Sequence, residues 1–182
     1  IRAVWQSRTC RTGIMLMTMK LARTIRFDSS DLNIFDNTAE EGEWAISGSF
    51  MFAGISEDAL VGKTRQAFAN GFLGLSSFGF STLVTVASAS EEICDELVQT
   101  LASRFVDDFG APSHNDARHA AQEEIDFMAD ICSEHKTGTL LSITRSLSEQ
   151  GIKESFRSIA KADSCAEQQI WTIIDEEEER PR

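Results

Sequence analysis

Asp116, His119 and Glu123 recur at i, i+3 and i+7, a spacing that sets all three on one face of a helix. Two carboxylates and an imidazole on one face form a ligand set for a divalent metal. The same spacing also describes an ordinary solvated face, with a His–Glu pair four residues apart contributing about 0.3 kcal/mol. Neither HExxH nor HxxxH occurs in the chain. Cys132 and His135 lie three apart, but a zinc site needs further ligands and no second pair is visible in the sequence.

The most distinctive stretch runs from Ala67 to Phe80, Ala-Phe-Ala-Asn-Gly-Phe-Leu-Gly-Leu-Ser-Ser-Phe-Gly-Phe. Glycines beside an apolar face let a ligand backbone or phosphate approach closely. A pocket there would have Lys63, Arg65, Asn70, Gly71, Gly74 and Ser77 as its ligand-binding groups. The pattern is not GxxxxGK[ST], nor GxGxxG between a strand and a helix. The alternative is structural, a helix end followed by a tight turn that packs aromatic side chains into the core.

Nucleophilic catalysis finds no motif, since GxSxG is absent. No catalytic residue is assigned, no carboxylate pair stands out, and the sequence names no cofactor. Arg145 and Arg157 could form an anion site if they faced each other across a hairpin. The alternative is an exposed sheet face balanced by acids.

The elements that must position these groups follow from periodicity. Residues 20–27 alternate and predict a strand, with a short second strand over 32–35 and a third over 43–52. Ser56 predicts a helix N-cap, followed by helical spacing through Phe72. Residues 82–87 read as a central strand. Ile93, Leu97, Leu101 and Phe105 predict one buried helical stripe. A third helix is predicted over 114–133. Strands are predicted over 140–147 and 152–159, joined by a hairpin turn at Gln150-Gly151, although Ile152, Phe156 and Ile159 also fit a helix. A last strand is predicted over 169–175. The partial segregation of strands and helices predicts an α+β fold, a mostly antiparallel sheet with about three helices packed on one face. One domain over 19–175 is expected. Residues 1–18 are expected to be an upstream or disordered segment, and 176–182 an acidic disordered tail.

The chain has 182 residues and a formal charge of −12, with 42% apolar residues. This is enough to bury one core. The charge disfavours nucleic acid, which needs clustered Lys and Arg, and it disfavours anionic membrane surfaces. No apolar run approaches the length of a membrane span. Cys10, Cys94, Cys132 and Cys165 form no CxxC pair and read as free thiols. These features predict a soluble, cytoplasmic protein of unspecified oligomeric state whose partner is another protein.

Lys20-Leu21 through Arg26-Phe27, Gly42-Glu43-Trp44-Ala45, the Ala67–Gly74 segment with Ser77-Phe78-Gly79, and Gly138-Thr139-Leu140-Leu141 carry a resemblance. Over about residues 19–175, the chain resembles a small family of uncharacterised bacterial proteins, known mainly from alphaproteobacteria and classed as a domain of unknown function. The resemblance implies no activity, cofactor or catalytic residue. It implies company with molybdoenzyme-maturation and lipoate-ligase-like genes.

Two functional expectations result. The first is a non-enzymatic accessory or interaction protein that assists assembly of a redox enzyme. The alternative is a small-ligand-binding protein or enzyme with its pocket at the glycine–phenylalanine junction.

Overall fold

The computed structural model describes residues 6–9 and 15–159, with side chains from Thr18 onward. The predicted strand over 169–175, the acidic tail, Cys10 and Cys165 lie outside the described residues. The fold is α+β. Strands β1 (Gln6–Thr9), β2 (Met15–Thr24), β3 (Trp44–Ile46), β4 (Phe72–Gly74), β5 (Phe80–Ser81), β6 (Leu83–Ser90), β7 (Leu140–Ser148) and β8 (Gly151–Ile159) make one antiparallel sheet. Its order is β5-β4-β3-β2-β6-β7-β8, and β1 pairs with the first part of β2. The helices are α1 (Ser30–Ile34), α2 (Gly62–Asn70), α3 (Glu91–Asp107) and α4 (His114–Ser133). No helix of the described residues is long and apolar enough to cross a membrane.

Helices α3 and α4 form where their sequences direct. Ser90 accepts a hydrogen bond from the Ile93 amide at 3.4 Å, and Ser113 accepts one from the Asp116 amide at 3.1 Å. Both are N-caps that satisfy a donor the helix itself cannot. Of the predicted stripe, Leu97, Leu101 and Phe105 are buried on α3 and Ile93 is half-buried, and Ala117, Ala121, Ile125, Met128 and Cys132 are buried on α4. The two helices pack against each other, and α4 lies against β2. Lys20 of β2 donates to the carbonyls of Ser133 and His135 at 3.1 and 2.6 Å. A cation thus sits at the negative end of α4 and ties it to the sheet.

Three local readings are corrected. Residues 32–35 are mostly helical (α1), because Asp31 turns inward to bind the β5–β6 corner rather than extending a strand. The strand over 43–52 is cut to three residues. Gly48 takes φ +75, where a Cβ would collide with Leu73, and the chain then winds into a 3-10 turn over Ser49–Phe52. Ser56 precedes only a 3-10 turn, Glu57–Ala59, and α2 begins at Gly62. In the stretch read as expected upstream, β1 and the start of β2 pair as antiparallel strands.

Candidate functional site

The glycine- and serine-rich stretch builds an anion cradle, and the protein's own Glu43 fills it. Glu43 stands just before β3 and is buried. Its Oε2 accepts from the amides of Ser76 and Ser77 at 2.7 and 2.9 Å. Its Oε1 accepts from the Ser77 hydroxyl at 2.5 Å and the Glu40 amide at 2.7 Å. Successive amides aimed at one anion form a nest, the arrangement that elsewhere holds phosphate. Gly74 is required here, since a Cβ on it would overlap the Glu43 carboxylate. Gly79 is required for a different reason, as its missing Cβ leaves room for the backbone of Thr38 and Ala39. Strand residue Phe80 then exchanges backbone hydrogen bonds with Asn37 and Ala39 at 2.9 Å each.

A second polar cluster joins α2, β3, β7 and β8. Arg145 has a fully buried side chain, and its Nε donates to Glu154 Oε1 at 2.6 Å. One terminal nitrogen donates to the carbonyls of Phe68 and Gly71 at 3.0 and 2.7 Å, closing the C-terminal end of α2. The other donates to the carbonyl of Ser47. The Ser47 hydroxyl donates to Glu154 Oε1 at 2.6 Å. Burial pulls the guanidinium below its ordinary value, and Glu154 pulls it back. A buried arginine survives only when paired and hydrogen-bonded, as this one is.

Glu124 of α4 faces the same cluster. Desolvation by burial, then repulsion from Glu154, pushes its carboxyl up to about 7, with Arg145 opposing. The described cysteines are unreactive by the same physics. Burial raises Cys94 to about 11 and Cys132 to about 12, so neither is a thiolate near neutrality.

The residues singled out from the sequence disperse. Gly74 and Ser77 meet at Glu43, while Gly71 gives its carbonyl to Arg145. Lys63 reaches the carbonyl of Phe35 at 3.3 Å and Asp36 at 3.6 Å. Arg65 is exposed and Asn70 is half-buried. On α4, Asp116 accepts from the Ser113 hydroxyl at 2.7 Å within its own helix cap. His119 and Glu123 form a pair at 3.4 Å whose side chains are 78% and 70% exposed. Among the described residues, no three His, Cys, Asp or Glu side chains converge as a metal site would require. Arg145 and Arg157 do not face each other. Arg145 pairs with Glu154 and Arg157 with Ser142, so the two arginines point to opposite faces of the hairpin.

A depression of about 80 Å³ is lined by Ile25, Arg26, Asp28, Asp31 and Thr82, among others. It has room for a few waters, well short of the 300–1,000 Å³ typical of ligand pockets. Arg26 Nε is buried without a hydrogen-bond partner, the kind of donor that an ordered water satisfies.

Sequence reasoning missed Glu43, Ser47, Glu124 and Glu154. Glu154 had a readable signal. The hairpin turns at Glu149-Gln150, one residue earlier than expected, and counting outward from it sets Arg145 opposite Glu154. Glu43 had no such signal, because its Ser76 and Ser77 partners lie 33 and 34 residues away along the chain.

Residues 19–176 match the sequence pattern of DUF6505, a family of unknown function. The chain belongs to this family. No curated protein and no solved structure matches it. In this DUF6505 member, the Gly42-Glu43-Trp44-Ala45 and Ser77-Phe78-Gly79 segments that carried the sequence resemblance are the two halves of the filled cradle.

Proposed function

We propose that this protein is a non-enzymatic accessory or interaction protein, with assembly of a redox enzyme as the process it assists. The observation that carries the reading is the Glu43 carboxylate seated in the Ser76–Ser77 nest. The glycine- and serine-rich segment, which is built to hold an anion, already holds an internal one. An incoming phosphate would have to displace a carboxylate with four short hydrogen bonds, each charge-assisted and contributing about 1.5–3 kcal/mol. Arg145 is likewise committed to three carbonyls and a carboxylate. Lys63, Arg65 and the His119–Glu123 pair are on the surface, where partners are met.

The test is a thermal-shift screen of the full chain against nucleotides, acyl-carrier thioesters and redox cofactors, with Ser77→Ala and Asn70→Ala alongside. The proposal expects no ligand to raise the melting temperature beyond error. A ligand that stabilises the wild type and loses that effect in Ser77→Ala would establish the alternative, a small-molecule site at this junction.

A further inference from the structure

The outward face of the β7–β8 hairpin is chemically unlike the rest of the molecule. Cross-strand partners share a face, so Ser142 with Arg157, Thr144 with Ser155, and Ser146 with Lys153 stand on one side. All are exposed or partly exposed. The same row continues through Leu140 and Thr85 to Arg23 of β2, which is exposed and lies 4.5 Å over the Trp44 ring. Arg23, Lys153 and Arg157 are therefore exposed on one side of the sheet, which is open along β7 and β8, while Met19, Leu21 and Ala89 on the same side are buried. No Asp or Glu shares it on β2, β6, β7 or β8. This is notable in a chain of net charge −12. The acid of β8, Glu154, points the opposite way, to Arg145. Among the described residues, β8 pairs only with β7, which leaves the far side of a nine-residue strand as an edge of the sheet.

Resting on the reading that the protein works through a protein partner, we infer that this face and edge dock an extended acidic segment of that partner, laid alongside β8. Strand addition supplies the affinity through main-chain hydrogen bonds. Alternate side chains of an added strand fall on one face about 7 Å apart, and every second such position reaches the spacing of Lys153 and Arg157, about 13 Å. Carboxylates at those positions meet the two cations, and serine and threonine hydroxyls between them accept or donate. Nucleic acid fits less well. Trp44, the aromatic ring beside Arg23, is covered by its guanidinium and so is not free for base stacking. Three separated cations are also a sparse array for phosphates.

The probe is an eight-residue capped peptide alternating glutamate and threonine, titrated into the full chain at low salt and followed by amide chemical shifts. The expected result is shifts confined to β7 and β8, with binding at least tenfold weaker in Lys153→Glu/Arg157→Glu and in the neutral Lys153→Ser/Arg157→Ser. Both variants change exposed side chains and should melt with the wild type. An absence of shifts at millimolar peptide overturns the inference. So does equal or tighter binding of an eight-nucleotide oligothymidylate, or a concentration-dependent dimer in sedimentation that the charge reversals abolish. None of these outcomes bears on the Ser77 thermal-shift result, so the two proposals fail separately.

Discussion

Glu43 completes three backbone amides and a hydroxyl, and removing it leaves those donors buried or facing water without a partner. Glu43→Ala is expected to cost about 3 kcal/mol in urea unfolding, since each orphaned buried donor costs about 1–3 kcal/mol. Gly74→Ala should cost about 1–3 kcal/mol, because the new methyl must displace the same carboxylate. Arg145→Met breaks a buried ion pair and is expected to cost about 3–5 kcal/mol. Adding Glu154→Met should recover only part of that loss. The carbonyls of Ser47, Phe68 and Gly71 remain without their donor in the double variant. Glu124 gives a pH signature. Its carboxyl is raised from 4.5 to about 7, so the folded state keeps a proton that the unfolded chain releases across that window. Its contribution to stability is therefore most favourable below pH 4.5 and declines as pH rises to 7, by up to about 3 kcal/mol. Glu124→Gln should flatten that decline relative to wild type in unfolding measured between pH 5 and 8. Failure of the variant to change the slope would remove Glu124 from the account.

Elements with long periodic patterns were readable in the sequence, and short ones were not. The stripes of α3 and α4 span several turns, and their serine caps mark the start of each helix. The β7–β8 hairpin was readable as an element, but its register was not, because the turn lies one residue earlier than Gln150-Gly151 suggests. That displacement of the turn shifts each cross-strand partner by two residues, and a face reverses only with an odd slip, so Arg145 and Arg157 lie on opposite faces in either register. Around β3, β4 and β5 the strands are two or three residues long and carry no usable period. Their positions are set by tertiary contacts: Gly48 against Leu73, Gly79 against the 38–39 backbone, and Glu43 against Gly74. At this scale, Ser113→Ala is expected to destabilise by about 1 kcal/mol through loss of the α4 cap. His119→Ala should change stability by less than about 0.5 kcal/mol, since an exposed pair contributes little. A metal-dependent rise in melting temperature that His119→Ala abolishes would contradict that placement.

At the scale of the whole molecule, the α+β architecture followed from the segregation of elements along the chain. The use of the polar groups did not. A glycine-serine loop that binds an external anion and one that binds an internal carboxylate have the same local sequence, and only the three-dimensional position of Glu43 separates them. Glu43, Arg145 and Glu154 are satisfied within the fold, and the outward side of β7 and β8 carries cations without acids. The molecule as built directs its unused chemistry outward. Amide hydrogen exchange at Ser76 and Ser77, measured on the protein without any ligand, tests this most directly. The account predicts slow exchange at both amides in the wild type and exchange at least tenfold faster in Glu43→Gln. Fast exchange in the wild type that slows when inorganic phosphate or a nucleotide is added would contradict it.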